Sequence, residues 1–251
     1  MNKDTVFKLI RPGKPLAAFV ESFWMLCNLS DDDKEIVVLP DGRSDLTLSQ
    51  SATAPFQVIR SGIETYPQQA TLKAKTTLFA VSFKLLAVEY VFQHPISHLL
   101  DYAEYLPADF WDFKARDLLD FELFCRKASQ KIRSLLPQEI DPRKQQLFDL
   151  IYSTKGSIPV KELSEKVFWS SRQINRYFNH QFGLSLKAYC NILRFRASFQ
   201  HIKEGKLFPQ QNFADQSHFI REVKKLAGVS PKELKRNQND RFIQFSALLP
   251  E

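Results

Sequence analysis

Two short stretches of this sequence hold side chains suited to reading nucleic-acid bases. The first is Ser171, Arg172, Gln173, Asn175 and Arg176; the second is Gln216, Ser217, His218 and Arg221. Arg can bond bidentately to guanine, and Asn or Gln to adenine. Each stretch begins just after a capping residue, Ser170 or Asp215, and so falls in the first turns of a predicted helix. Backbone N–H groups at such an end also favour a nearby phosphate. Polar residues of these kinds occur on any solvated helix, so one stretch alone would read equally well as plain surface. What sets these two apart is their register. A shift of 45 residues superposes Ile174 on Phe219, Arg176 on Arg221, Phe178 on Val223, Gly183 on Gly228 and Ser185 on Ser230. An internal repeat of that kind implies two similar helical units.

The elements that must position these residues read as helices throughout 143–236. Arg143 to Lys155 is predicted to be a helix closed by Gly156, and a short helix carrying Val160, Leu163 and Val167 follows Pro159. Ser170 caps a third, with Ile174, Tyr177 and Phe178 on its apolar side and Gly183 at its end. Ser185 is expected to open one long helix to Lys203, because Ala188, Ile192, Phe195, Phe199 and Ile202 form a single stripe. Asp215 caps a helix with Phe219, Val223 and Leu226, closed by Gly228, and Ser230-Pro231 opens a last short one.

The first part of the chain is different. Strand candidates are Glu35 to Leu39, Leu46 to Leu48, Phe56 to Arg60, Gln69 to Lys73 and Leu78 to Phe83, with Phe19 to Leu26 readable as strand or short helix. Asp41-Gly42 is a turn dipeptide between the first two. Leu85 to Phe92 and Ile96 to Leu100 look helical. Asp117 to Leu136 reads as one longer helix, with Leu119, Leu123 and Ile132 among its apolar positions. That helix would serve either as a dimerisation surface or as cover for its own domain. Pro137 and Asp141-Pro142 mark the boundary. The expected architecture is α+β with two domains. Residues 1–137 form a small β-sandwich or barrel-like domain with flanking helices, regulatory or dimerising. Residues 143–251 form an all-α domain with two helix-turn-helix units joined by a long helix.

Charge divides at the same boundary. Residues 1–142 hold 16 Lys and Arg against 19 Asp and Glu, a net of −3, whereas residues 143–251 hold 19 against 9, a net of +10. The basic half suits a polyanion partner. The chain has 251 residues, 22 of them Phe and only 7 Gly, enough for a substantial core. No apolar run is long enough to span a membrane, and no secretory signal is expected at the N-terminus. Cys27, Cys125 and Cys190 are far apart and odd in number, which argues against a disulfide framework or a zinc finger and for reduced thiols in a cytoplasmic protein.

With these features together, the helical half resembles the DNA-binding domain of AraC-type transcriptional regulators. The resemblance rests on Lys161 to Glu165, Ser170 to Phe178 and Phe182 to Ser185 for a first unit. For a second it rests on Phe213 to Glu222 and Gly228 to Pro231, with a specific Asp-Gln-Ser-His-Phe run. It covers about 100 residues at the C-terminal end. The resemblance implies that Arg172, Asn175 and Arg176 read bases from the first recognition helix and that Gln216, Ser217 and Arg221 read them from the second. The two helices would enter successive major grooves on one face of duplex DNA, with the linking helix setting a separation of about 34 Å. Two departures stand out. The turn glycine expected before the first recognition helix is Phe168, which would be strained if that position needs φ > 0. The second unit is about five residues short, with Gly205 to Asn212 where a scaffold helix is usual, so Leu207, Phe208 and Phe213 are expected to pack in its place.

Other chemistry is thinner. His94 and His98 are four apart and would share a face if helical, but Pro95 lies between them and no third metal ligand is near. Asp31-Asp32-Asp33 reads as a solvated loop, and Pro40 to Asp45 as a hairpin turn or the lip of a ligand pocket. Nucleophile, P-loop and dinucleotide motifs are absent. The expectation is a sequence-specific DNA-binding regulator without enzymatic activity or cofactor. Double-stranded DNA would be its partner, and its first half would sense a small-molecule effector or form a homodimer. The competing readings are an architectural DNA binder and a cupin-like enzyme domain tethered to a DNA-binding module.

Overall fold

The β-rich half is built on alternation. Strands β1 (Thr5–Ile10), β2 (Val20–Asn28), β4 (Ser44–Gln50), β5 (Gln57–Ser61), β7 (Thr77–Phe83) and β8 (Ala103–Leu106) form one antiparallel sheet in the order β1-β2-β7-β4-β5-β8. Strands β3 (Lys34–Val38) and β6 (Gln68–Leu72) form a second, two-stranded sheet. The computed structural model describes residues 4–206, Phe213 and 215–246, apart from the Asn239 side chain. Leu46 and Leu48 of β4 lie opposite Val81 and Phe79 of β7, and all four are buried on the face covered by helix α1 (Phe121–Leu135). Phe79 meets Phe121 edge-on at 5.1 Å and Phe124 at 5.6 Å.

Several expectations change here. Phe19 to Leu26 resolves, from Val20 on, as part of strand β2, and β1 and β8 lie outside the predicted strands. Strand β3 pairs with β6, not β4, so Asp41-Gly42 is no hairpin turn: it carries the chain from the small sheet to the large one. The two segments predicted helical, Leu85 to Phe92 and Ile96 to Leu100, appear as short helical turns: one runs from Leu86 to Phe92, π-helical over Val88–Phe92, and a 3-10 turn spans Ser97–Leu99; His94 lies outside both, so His94 and His98 share no helical face. Asp31 to Asp33 are exposed, with Asp33 capping the Ala74 N–H and paired with Lys73. Helix α1 begins at Phe121 and not at Asp117, because Asp120 is extended and accepts from the Leu123 N–H as a cap. Asp117 belongs to a preceding 3-10 turn, where its buried carboxylate accepts from the Lys114 N–H and pairs with Lys127. Leu119 and Leu123 therefore face solvent, 86% and 45% exposed.

The helical half follows its caps closely. It comprises α2 (Pro142–Ser153), α3 (Val160–Val167), α4 (Ser171–Phe182), α5 (Leu186–Ala197), α6 (Phe199–Lys203), α7 (Gln216–Ala227), α8 (Pro231–Arg236) and α9 (Ile243–Ser246). The long helix expected from Ser185 to Lys203 appears as α5 and α6, interrupted at Ser198, where the side chain bonds back to the Phe195 carbonyl at 2.6 Å. The apolar stripe still holds, with Ile192, Phe195, Phe199 and Ile202 all buried. Among the described residues, no helix is long and apolar enough to cross a membrane.

One hydrophobic core runs through both halves. At their junction lies Arg43, only 5% exposed. Its guanidinium donates to Glu21 at 3.1 Å and to the Gly42 carbonyl at 3.1 Å, and lies 4.9 Å from the Tyr152 ring centre. Tyr189 of α5 donates to the same Gly42 carbonyl at 3.0 Å, and its hydroxyl meets that of Tyr152 at 3.0 Å. Tyr152 in turn accepts from the Leu85 N–H at 2.9 Å, and Arg196 of α5 donates to Glu21 at 2.9 Å. Gly42 has φ +75°, and a Cβ there would lie 3.0 Å from the Tyr189 ring. The chain thus needs glycine both for its turn and for this close approach.

Glu21 gives this junction a pH dependence. Burial by itself would raise its pKa, but Arg43, Arg196 and Lys84 together outweigh burial and lower it from 4.5 to about 2. A carboxylate depressed on folding contributes stability that is complete above its unfolded pKa and lost as pH falls through the folded one. The window is therefore pH 4.5 down to about 2, and a depression of that size corresponds to roughly 3 kcal/mol. Urea midpoints should fall across that window in the parent chain. Glu21→Gln should be less stable near neutrality and show a shallower fall below pH 4.5; an undiminished fall would place the acid sensitivity on other carboxylates.

Candidate nucleic-acid interface

Helices α3 and α4 make a helix-turn-helix. Leu163 and Val167 of α3 are buried, as are Ile174 and Phe178 of α4. The turn between them has Phe168 in the left-handed region, at φ 54° and ψ 33°, with its side chain 86% exposed. Ser164 donates to the Trp169 carbonyl at 2.6 Å and fastens the turn to α3. The sequence thus places a phenylalanine where the backbone favours glycine, and no burial of its ring compensates.

Ser170 and Gln173 form a reciprocal capping box at the start of α4. The Ser170 N–H donates to Gln173 Oε1 at 2.9 Å, so the oxygen of that amide is engaged inside the chain. A bidentate contact to adenine needs both ends of the amide. Asn175 is engaged at both ends: its Nδ2 donates to the Ser171 carbonyl at 3.0 Å and its Oδ1 accepts from the Leu186 N–H at 3.3 Å. It holds α4 against the start of α5. Ser171 is half-buried, while Arg172 and Arg176 are exposed one helical turn apart, and so lie on the same face. Of the five residues singled out in this helix, these two arginines reach solvent unobstructed by a cap.

The second helix repeats the first at the 45-residue offset: α4 spans Ser171–Phe182 and α7 spans Gln216–Ala227. Each is closed by a left-handed glycine, Gly183 at φ 81° and Gly228 at φ 71°. Each is followed by a serine-capped helix, α5 after Ser185 and α8 after Ser230. Asp215 caps α7 by accepting from the His218 N–H at 2.7 Å. Gln216, Ser217 and Arg221 are exposed, whereas His218 is half-buried beside Phe213, with ring centres 5.8 Å apart. Phe213 also packs edge-on against Phe219 at 5.1 Å. Leu207 and Phe208, expected to pack with it, lie outside the described residues, as do Pro209 to Asn212.

Both helices rest on the β-rich half by their C-terminal ends. The Ile96 N–H donates to the Gln181 carbonyl at 2.8 Å, and a Cβ on Gly183 would lie 2.8 Å from the Ser97 carbonyl oxygen. A Cβ on Gly228 would lie 3.3 Å from the Pro67 ring. Beside α4 a groove of about 540 Å³ is lined by Lys144, Trp169, Gln173, Arg176, Tyr177 and His180. Lys144, Trp169 and Tyr189 carry no motif that marks them in the sequence, whereas Arg43 lies within the Pro40 to Asp45 stretch read as a hairpin turn or the lip of a pocket.

Comparison with known proteins adds the following. Residues 8–104 match a family described as a domain of unknown function, DUF6597. No curated protein matches the chain. Among solved structures the chain is similar to ToxT from Vibrio cholerae. One form is 13% identical with a TM-score of 0.44, covering 93% of this chain and 98% of that one. ToxT bound to (E)-4-(8-methylnaphthalen-1-yl)but-3-enoic acid is 12% identical at a TM-score of 0.44, covering 98% and 100%.

The turn at Phe168 yields a direct test. A left-handed backbone costs a non-glycine residue roughly 1–2 kcal/mol, partly offset by the greater freedom glycine has when unfolded. Phe168→Gly should therefore stabilise the chain by about 0.5–1 kcal/mol, read as a higher denaturant midpoint at unchanged slope. A lower midpoint would mean that the exposed ring makes contacts worth more than the strain.

Proposed function

We propose that the chain is a sequence-specific regulator that binds duplex DNA through residues 143–251. The observation that carries this reading is the pair of twelve-residue helices 45 positions apart. Each begins at a side-chain cap and exposes an arginine at its sixth position, Arg176 or Arg221, in the half of the chain with net charge +10. In this reading Arg172 and Arg176 contact bases from α4, and Gln216, Ser217 and Arg221 contact them from α7. Ser171, Gln173, Asn175 and His218 lie at the same helix ends. They hold the framework and contact backbone or base with whatever donors their internal bonds leave. The reading has no catalytic step and calls for no cofactor. The β-rich half, residues 1–137, is the regulatory part, answering a small-molecule effector or a second copy of the chain. Its support is the direct packing of that half on the C-terminal ends of both helices.

Selection of binding sites from random duplex DNA, with the full chain and competitor DNA at moderate salt, tests the reading. Two conserved blocks about one helical turn apart are expected. Arg176→Ala and Arg221→Ala should each weaken binding to the selected site by roughly 1–3 kcal/mol and relax preference at one position, in different blocks. Salt-sensitive binding with no enriched sequence would sink the sequence-specific reading in favour of an architectural one.

A further inference from the structure

The groove beside α4 has a chemistry of its own. Its walls combine two aromatic rings, Trp169 and Tyr177, 5.6 Å apart, with Lys144, Arg176 and His180. Arg143, ion-paired with Asp141, lies at the rim 5.3 Å from the Trp169 ring centre. Gln173 and Arg176 belong both to this groove and to the exposed end of α4, so groove and candidate base-reading surface are continuous. A shallow cationic channel with apolar walls suits a sugar–phosphate strand: cations meet phosphate oxygens, and rings meet the deoxyribose.

One carboxylate from the other half of the molecule reaches this channel. Glu89, in the π-helical turn Val88–Phe92, is ion-paired with Lys144 and accepts from the Tyr177 hydroxyl at 3.0 Å. Burial, reinforced by the Glu89 charge, pushes the Tyr177 phenol well above its ordinary pKa, so it remains a donor. Lys144 also lies 5.5 Å from the Tyr177 ring centre and 5.9 Å from that of Tyr90. The ammonium is thus held at the wall of the groove by an acidic side chain whose oxygens resemble those of a phosphate in charge and hydrogen bonding.

We infer that this groove seats the DNA strand flanking the first recognition helix, and that Lys144 exchanges Glu89 for a backbone phosphate when DNA binds. The inference rests on the DNA-binding reading above. Glu89 is then an internal competitor: every binding event must release it. In the parent chain the phosphate sheds a counterion while the freed Glu89 takes one up, so this contact adds little to the salt dependence. Without the Glu89 charge the same contact adds close to its full share, a slope of about −0.9 in log K against log salt.

The test is a double-mutant cycle on the full chain, with DNA affinity measured by fluorescence anisotropy across a salt series. It uses a selected duplex and a scrambled one. Glu89→Gln, which can still accept from Tyr177, should tighten both duplexes alike, by roughly 3- to 10-fold, and steepen the slope by up to about 0.9. Lys144→Gln should weaken both, and in that background Glu89→Gln should have no effect. Lys144→Arg, which keeps the charge, should bind like the parent, and thermal melts without DNA would separate unfolding from lost contact. Absence of tightening in Glu89→Gln, or tightening that persists without Lys144, overturns the exchange. A parent chain that binds both duplexes equally overturns sequence-specific reading alone, because the cycle is still read on either duplex. A parent chain that binds neither overturns both.

Discussion

A guanidinium buried between two halves of a chain needs partners from both of them before the halves close over it. Arg43 meets that demand with partners drawn from across the sequence. Glu21 comes from β2, the Gly42 carbonyl from its own turn, and the Tyr152 ring and Tyr189 hydroxyl from α2 and α5. Removing a charge from water costs several kcal/mol, and its return depends on the geometry of every partner. A junction of this kind therefore tolerates few relative positions of the halves. A purely apolar contact would let them slide; the Arg43–Glu21–Arg196 arrangement fixes both distance and orientation.

The helical half was legible because its signals are local. A serine or aspartate cap, an apolar stripe at helical spacing and a closing glycine each act within a few residues. Those rules locate α3, α4, α7 and α8 from sequence, and the 45-residue offset recurs as identical helix bounds. The sheet was less legible because strand pairing is not local. Asp41-Gly42 carries a hairpin signal, yet β3 takes its partner from β6, beyond β4 and β5. Edge strand β8 is four residues long and offers too short an alternation to be seen. Leu119 and Leu123 look like core by spacing, but the cap at Asp120 starts the helix late and turns them outward.

The candidate interface was half legible for a related reason. The sequence supplies polar residue types at a helix start, but not which of them are already engaged. Arg172 and Arg176 are long enough to pass beyond the cap. The shorter amides of Gln173 and Asn175 fall within reach of backbone groups and bond there. Short polar side chains near a helix N-terminus compete for exactly those local partners. Phe168 is the converse case. Its left-handed backbone follows from the turn, at a position where the backbone favours glycine and the sequence holds a bulky residue.

Helix α5 ties these observations together. Leu186 at its start takes the Asn175 amide and so holds α4. Asn191, five residues on, donates to Glu222 at 3.3 Å and so holds α7. Tyr189 and Arg196 of the same helix grip Gly42 and Glu21 in the β-rich half. Over twelve residues, about 18 Å, one rigid element meets both polar-tipped helices and the buried guanidinium junction. Any change that alters the seat of Tyr189 or Arg196 must either shift α5 as a body or break its bonds to α4 and α7. The spacing and tilt of the two helices are thereby coupled to the packing of the β-rich half through side chains that touch both. That coupling needs no flexible linker and no distant relay.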